Sequence, residues 1–332
     1  YLVVQNVPQN YAYYLLLAKQ IDQYGDKNWP KMLIFMPWQL IANVCENSCR
    51  NSQPMIEICL FDQSKFSAPG NCLFQSQNDD DWKKLYPADA EGNCELANKV
   101  LIIKKENIVV LVDSGFSRYD TASLNEYRVK NFQYIGDILK QASLTTQHIT
   151  HVVHTHLHLD HCGESIDFSE SGEGIKRFSG ALYVATGNQL KVATDIDGAG
   201  FDSFYTPVVR AFNNNCCDIP LSNDTFLFPW LELRIFNGHT RGLIVPVLHG
   251  KEKTLVFAGD LIPTMAHLTL QLASRYDVNP LLTLAERDDF LDEIIQNEYI
   301  IAFQHDPFHE ACKVKRSKEE IIAIECKCPF YL

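Results

Sequence analysis

Four metal-seeking side chains within six residues constrain this chain more than any other feature. His156-Leu157-His158-Leu159-Asp160-His161 follows directly on the apolar run Ile149 to His154. In an extended segment residues i and i+2 share a face, so His156 and His158 can grip one cation. A turn after them lets Asp160 and His161 face a second. Neutral imidazole combined with carboxylate suits zinc, iron, manganese or cobalt. A polar turn without a metal would also bring histidines together, but it gives no reason for four ligand types to crowd the end of an apolar strand.

Such a site needs a rigid scaffold. The chain has 332 residues, 46% hydrophobic and 21% charged, enough to bury a core. Val100 to Lys104 and Ile108 to Val112 predict strands around a turn at Glu106-Asn107. Ile149 to His154, Ala181 to Ala185, Thr225 to Phe228, Leu231 to Phe236, Leu243 to His249, Thr254 to Ala258 and Tyr299 to Phe303 predict further strands. Asn131 to Ala142 and Leu282 to Asn297 predict amphipathic helices, and a helix is expected near Asn188 to Thr194. Residues 198–224, polar and rich in Gly and Asn, predict a long loop or lid. Runs of strands separated by helices imply two sheets with helices outside, over residues 54–332. Residues 1–53 differ, with few strand alternations. They read as a mostly helical extension that packs on the main domain or serves an interface, a homodimer's among them.

A formal net charge of −12 disfavours binding to nucleic-acid backbones. No apolar run reaches about 18 residues, so no membrane-spanning helix is expected. The eleven cysteines show no paired zinc spacing and read as free thiols of a reducing, cytoplasmic compartment. The first residue is Tyr1 rather than Met, so export with a removed leader stays open.

The His156 to His161 segment resembles the HxHxDH signature of the metallo-β-lactamase superfamily. Further features follow in the same order. Asp113-Ser114-Gly115 is similar to the early Asp-x-Gly loop, Gly238-His239-Thr240 to the Gly-His-Thr loop, Gly259-Asp260 to the bridging aspartate, and His305 to the last imidazole. The resemblance covers about residues 54–330. It implies an αββα sandwich with a metal site at one edge, holding two divalent ions, zinc first, with iron, manganese or cobalt as alternatives. His156, His158 and His239 would hold one ion, and Asp160, His161 and His305 the other, with Asp260 between them. It further implies a hydrolase in which the ions share a hydroxide, while Asp160 orients it or carries its proton to the leaving group.

Within the superfamily, Asp160-His161 departs from the redox flavodiiron pattern, in which carboxylates replace some imidazoles, the charge is wrong for the nucleases, and Asp260 argues against β-lactamase activity. Trp82-Lys83-Lys84-Leu85-Tyr86-Pro87-Ala88-Asp89, Gly259-Asp260-Leu261-Ile262-Pro263-Thr264 and Gln304-His305-Asp306-Pro307 resemble the lactonase-like and organophosphate-hydrolase-like members. The expected substrate is therefore a small-molecule ester or lactone, foremost an N-acyl homoserine lactone, whose ring opening quenches quorum signals. Phosphotriester hydrolysis is the alternative, and a metal-binding scaffold without turnover a third reading. One departure matters. Lactonases of this type often carry a tyrosine three residues after the bridging aspartate, where it holds the developing oxyanion. Here that residue is Pro263, which makes Tyr205 and Tyr276 candidate substitutes. His267 is a candidate substrate contact near the mouth. Phe201, Phe204, Tyr205 and Phe212 either form an acyl pocket or pack their loop down. His151 reads as structural, and His154 either as structural or as a support behind the ligands.

Overall fold

The computed structural model describes residues 55–332, except 76–81, 193–202, 269–271, 319 and 330. The expected helical extension over residues 1–53 lies outside them.

Period-two alternation builds the sandwich. The first sheet holds β1 (Glu57–Pro69), β2 (Asn93–Lys105), β3 (Ile108–Val112), β4 (His151–Val153), β7 (Leu182–Thr186) and β8 (Ile219–Leu221), in that spatial order. A small hairpin, β5 (Ile166–Phe168) with β6 (Gly174–Lys176), stands apart. The second sheet runs from β9 (Thr225–Phe228) through β10 (Leu231–Phe236), β11 (Leu243–His249), β12 (Thr254–Phe257), β13 (Ile300–Ala302) and β14 (Ala311–Ser317) to β15 (Glu320–Cys326). On β2, Leu101 and Ile103 point to the space between the sheets, while Val100 and Ile102 point outward. On β12, Leu255 and Phe257 face inward and Val256 faces outward. Both sheets are therefore apolar on both faces and need a cover on each outer side. Helix α1 (Ile135–Gln141) covers the first sheet through Ile135, Ile138 and Leu139. Helix α4 (Pro280–Gln296) covers the second through Phe290, Leu291 and Ile294. Between them in sequence lie α2 (Gly187–Val192) and α3 (Thr206–Ala211). The result is an αββα sandwich.

The strand directions place the site. β3, β4 and β7 are parallel, as are β12 and β13. Asp113, the His156 to His161 segment, His239, Asp260 and His305 follow the C-terminal ends of β3, β4, β10, β12 and β13 respectively. Loops from both sheets thus converge on one edge.

Several expectations need adjustment. Residues 198–224 are not one loop in their described part: α3, a π-helical turn at Phe212–Cys216 and β8 occupy it. Val208 and Ala211, three residues apart on one helix face, bury against the first sheet's outer face, and Val209 is buried as well. Helix α1 starts at Ile135 rather than Asn131, because Asn131 takes a left-handed backbone (φ 53) and Tyr134 is extended. Helix α4 starts two residues before Leu282, where Asn279 caps the Leu282 amide and Pro280 opens the first turn. Strand β1 and the β14–β15 hairpin had no counterpart in the sequence reading. The described cysteines are free thiols, and no described helix is long and apolar enough to cross a membrane.

Candidate metal centre

After β4 the backbone leaves the sheet, and the next turn is fixed by hydrogen bonds from distant residues. The Thr155 amide and hydroxyl donate to Asp113 at 2.8 and 2.7 Å, and the Leu157 amide donates to Gln189 Oε1 at 3.0 Å. Gln189 Nε2 also donates to Thr240 Oγ1 at 3.0 Å, which ties the His156 turn to the His239 loop. Gly238 is required there: a Cβ on it would lie 2.3 Å from the Thr283 amide nitrogen of α4.

The seven predicted side chains come together as two groups. His156, His158, His239 and Asp260 offer ligand atoms all within 4.8 Å of one another, and so do Asp160, His161 and His305. In the first group His156 Nε2 lies 2.9 Å from His158 Nδ1, which is 3.3 Å from His239 Nε2. Asp260 Oδ2 stands 3.2 Å from His239 Nε2 and 3.8 Å from His156 Nε2. In the second, Asp160 Oδ2 is 3.5 Å from His161 Nε2 and 3.7 Å from His305 Nε2. Asp260 Oδ1 faces this group, 3.5 Å from His161 Nε2 and 2.9 Å from His305 Nε2. Ligands at about 2.1 Å around a tetrahedral ion are spaced by about 3.4 Å, so these separations fit cation coordination. Two orphans agree: His161 Nε2 and Asp260 Oδ1 are buried without a hydrogen-bond partner, a costly arrangement that a shared cation relieves.

The imidazoles are oriented from behind. His161 Nδ1 lies 2.9 Å from Asp113 Oδ2, His239 Nδ1 2.9 Å from Asp277 Oδ1, and His305 Nδ1 2.9 Å from the Ala97 carbonyl. Such partners fix the tautomer and raise ligand basicity. Gln304 adds a donor to Asp113 at 2.7 Å. The sequence reading missed Gln189, Asp277 and Gln304; only Gln304, next to His305, carried a local signal.

The electrostatics ask for positive charge. Burial and the neighbouring imidazoles push His156 well below its ordinary pKa and His158 to about 3. Burial opposes charging His161 as well, but Asp160, Asp260 and Asp113 outweigh it and hold its pKa well above the usual range. Burial is likewise overcome at His239 by Asp260 and Asp277. At Asp260 burial favours the neutral acid, yet the imidazoles of His305, His161 and His239 hold the carboxyl well below its ordinary value. A divalent cation bound there would supply the positive charge that these carboxylates favour.

Above the centre opens a cavity of about 710 Å³, mouth included. Phe66, Leu73, Leu96, Phe116 and Leu159 wall one part, and His158, Asp160, His239, Asp260 and His305 line its metal-facing part. Pro263, His267 and Tyr276 also line it. Tyr276 is raised by burial first, and it feels the charge of Asp160. Both ring nitrogens of His267 are committed, 2.8 Å from Thr264 Oγ1 and 3.2 Å from the Leu73 carbonyl. Tyr205 is placed elsewhere: it precedes α3, and its hydroxyl donates to the Tyr119 carbonyl at 3.3 Å. Phe204 packs edge-on against His158 at 5.0 Å, and Phe212 against His154 at 4.7 Å. Phe201 lies outside the described residues. His154 is buried and lowered to about 4 by burial, with Nε2 2.7 Å from Ser165 Oγ. Trp82 and Tyr86 pack into the apolar cluster behind the cavity.

Residues 95–305 match the family described as the metallo-beta-lactamase superfamily. No curated protein matches the chain. Among solved structures, a probable metal-dependent hydrolase from Staphylococcus aureus is 21% identical with a TM-score of 0.73, over 84% of this chain and 99% of that one. AidC, a dizinc quorum-quenching lactonase in complex with a product, is 16% identical with a TM-score of 0.67, over 84% and 97%. The hydrolase AbOPH is 16% identical with a TM-score of 0.66, over 84% and 99%. At these identities the likeness establishes a shared fold.

Proposed function

The chain belongs to the metallo-beta-lactamase superfamily, and from that premise we propose that it hydrolyses a small ester or lactone, with N-acyl homoserine lactones as its substrates. The observation that carries this reading is the apolar cavity standing directly over the two donor groups. Its lining, mostly apolar with a few convergent polar groups, suits a small ligand with an acyl arm. A fold shared with a lactonase that holds its product supports the same reading.

In this reading His156, His158 and His239 would hold one divalent ion, and Asp160, His161 and His305 the other. Asp260 would serve both, and zinc is the first choice for each ion. Bound there, the ions would activate water and polarise the carbonyl under attack. The protein's own part is positioning and proton transfer. Phe66, Phe116 and Leu159 hold the acyl arm and exclude bulk water. Asp160 takes the proton of the attacking water on its carboxylate and returns it to the leaving oxygen. Tyr276 donates its phenolic hydrogen to the developing oxyanion, a role that Pro263 cannot fill.

Zinc-loaded protein assayed on N-hexanoyl homoserine lactone and on a paraoxon-like phosphotriester tests the reading. Ring opening of the lactone is expected. Turnover confined to the phosphotriester would replace the substrate class, and no turnover of either would overturn the enzymatic reading. Tyr276→Phe is expected to lower kcat by ~10²-fold, the scale of one oxyanion donor, with a smaller change in KM.

A further inference from the structure

Arg287 is the largest fully buried side chain of the described residues, 1% exposed, and it lines the cavity from α4. An arginine carries five N–H donors. Three are used: Nε donates to the Leu261 carbonyl at 2.8 Å, and Nη1 donates to the carbonyls of His267 and Leu272 at 3.1 and 2.8 Å. These bonds tie down the segment that follows Asp260. They leave Nη2 with two hydrogens and no partner among the described residues. Arg287 also lines the cavity over the candidate centre.

Among the described residues no carboxylate pairs with this cation. Arg287 forms no ion pair among the described residues, and Asp277, whose charge it feels, is committed elsewhere. Asp277 Oδ1 faces His239 Nδ1 at 2.9 Å and Oδ2 accepts from the Ser274 amide at 3.1 Å. His267, beside it, has no ring nitrogen to spare. A buried cation without a counter-charge is costly. Stapling a loop accounts for three of its donors and leaves the other two unexplained.

We propose that Arg287 is a specificity-determining residue, its Nη2 donating to an oxygen acceptor on the substrate's acyl arm, away from the scissile bond. This rests on the ester or lactone reading above and deepens it: the acyl arm is not purely hydrocarbon. The acceptor is an amide carbonyl or a carboxylate, and the charged, planar guanidinium suits either.

Calorimetric titration of the zinc-loaded protein with three unreactive, ring-opened ligands tests this. All three share a 4-hydroxybutanoate end, and they carry at C2 a hexyl, a hexanoylamino or a carboxypentyl arm. One oxygen-bearing arm is expected to bind at least ~10-fold tighter than hexyl, the scale of one charge-assisted hydrogen bond. Which arm gains identifies the acceptor. Arg287→Met should shrink the preference below ~3-fold, and Arg287→Lys should keep part of it. Affinities within ~3-fold for all three arms in the wild type would overturn the proposal, and that comparison needs no variant to fold. A preference surviving intact in Arg287→Met would overturn it equally. Lactone turnover without such a ranking would sink the role of Arg287 alone; the ranking without lactone turnover would sink the lactone reading alone.

Discussion

Asp113 concentrates four interactions on one buried carboxylate: the Thr155 amide, the Thr155 hydroxyl, Gln304 Nε2 and His161 Nδ1. It does so from a left-handed backbone at φ 58, a region that Asn also tolerates. Asp113→Asn should therefore keep the backbone of the turn, remove the charge behind His161 and place an amide donor where one carboxylate oxygen now accepts. Metal affinity, measured by competition with a chelating dye, should fall ~10- to 100-fold with little change in secondary structure; unchanged affinity would sink the assigned role. His267 makes a different prediction. Burial and Arg287 hold it near 3, against an ordinary value of 6.5. Its folded pKa is depressed, so the unfolded chain binds more protons between those values, and stability is lost as pH falls from about 6.5 towards 3. His267→Gln should flatten the wild-type denaturation profile in that window by on the order of 1 kcal/mol per pH unit. Equal slopes would show that His267 is not the neutral group. The residues that gather at the candidate centre were legible because HxHxDH is contiguous and each later residue follows a strand. Asp277 and Gln189 were not, since their roles exist only where distant loops meet.

The loop that carries His239 is held by the start of α4. Glu286 accepts the amides of Asn237 and Gly238, at 2.8 Å each through its nearer oxygens, while the amides of Val278 and Asn279 donate to the carbonyls of His239 and Gly238. Gly238 lets the backbones approach; with a Cβ 2.3 Å from the Thr283 nitrogen, something must move. Gly238→Ala should cost ~1–3 kcal/mol of stability, the scale of overpacking. It should also weaken metal binding, because the helix cannot shift without moving His239. Denaturant unfolding and zinc titration on the same sample check both, and a variant that loses neither would show that the contact gives way elsewhere. Element boundaries were readable where alternation was clean, as in β10, or where an apolar run was unbroken, as in β11. Strand β1 was not, because Asp62, Gln63, Ser64 and Lys65 interrupt its apolar pattern and its register shifts between Asp62 and Ser64. The β14–β15 hairpin escaped because it lies at the sheet edge, where exposed polar residues replace a buried face.

Across the sandwich, the candidate centre joins two sheets that otherwise meet mainly through apolar packing. His156, His158, Asp160 and His161 arrive from the first sheet, and His239, Asp260 and His305 from the second. A cation held by ligands from both layers binds the folded state and has no equivalent site in the unfolded chain, so it stabilises by mass action. At a thousandfold excess over Kd this amounts to ~4 kcal/mol, which for a chain of this size shifts the thermal midpoint by ~10 °C. The pH dependence has a definite sign. Without metal, the raised pKa of His161 and of His239 means protons stabilise the folded state, fully below about 6.5, and that stability is lost as pH rises through the raised values. With metal, the same imidazoles are neutral ligands, and affinity grows as fewer protons must leave. The gap between zinc-loaded and chelated protein should therefore widen from pH 6 to pH 8, and zinc added back should restore the higher midpoint. Scanning calorimetry at both pH values measures it. A gap that is absent, or that narrows with rising pH, would mean that these seven side chains do not share cations across the two sheets.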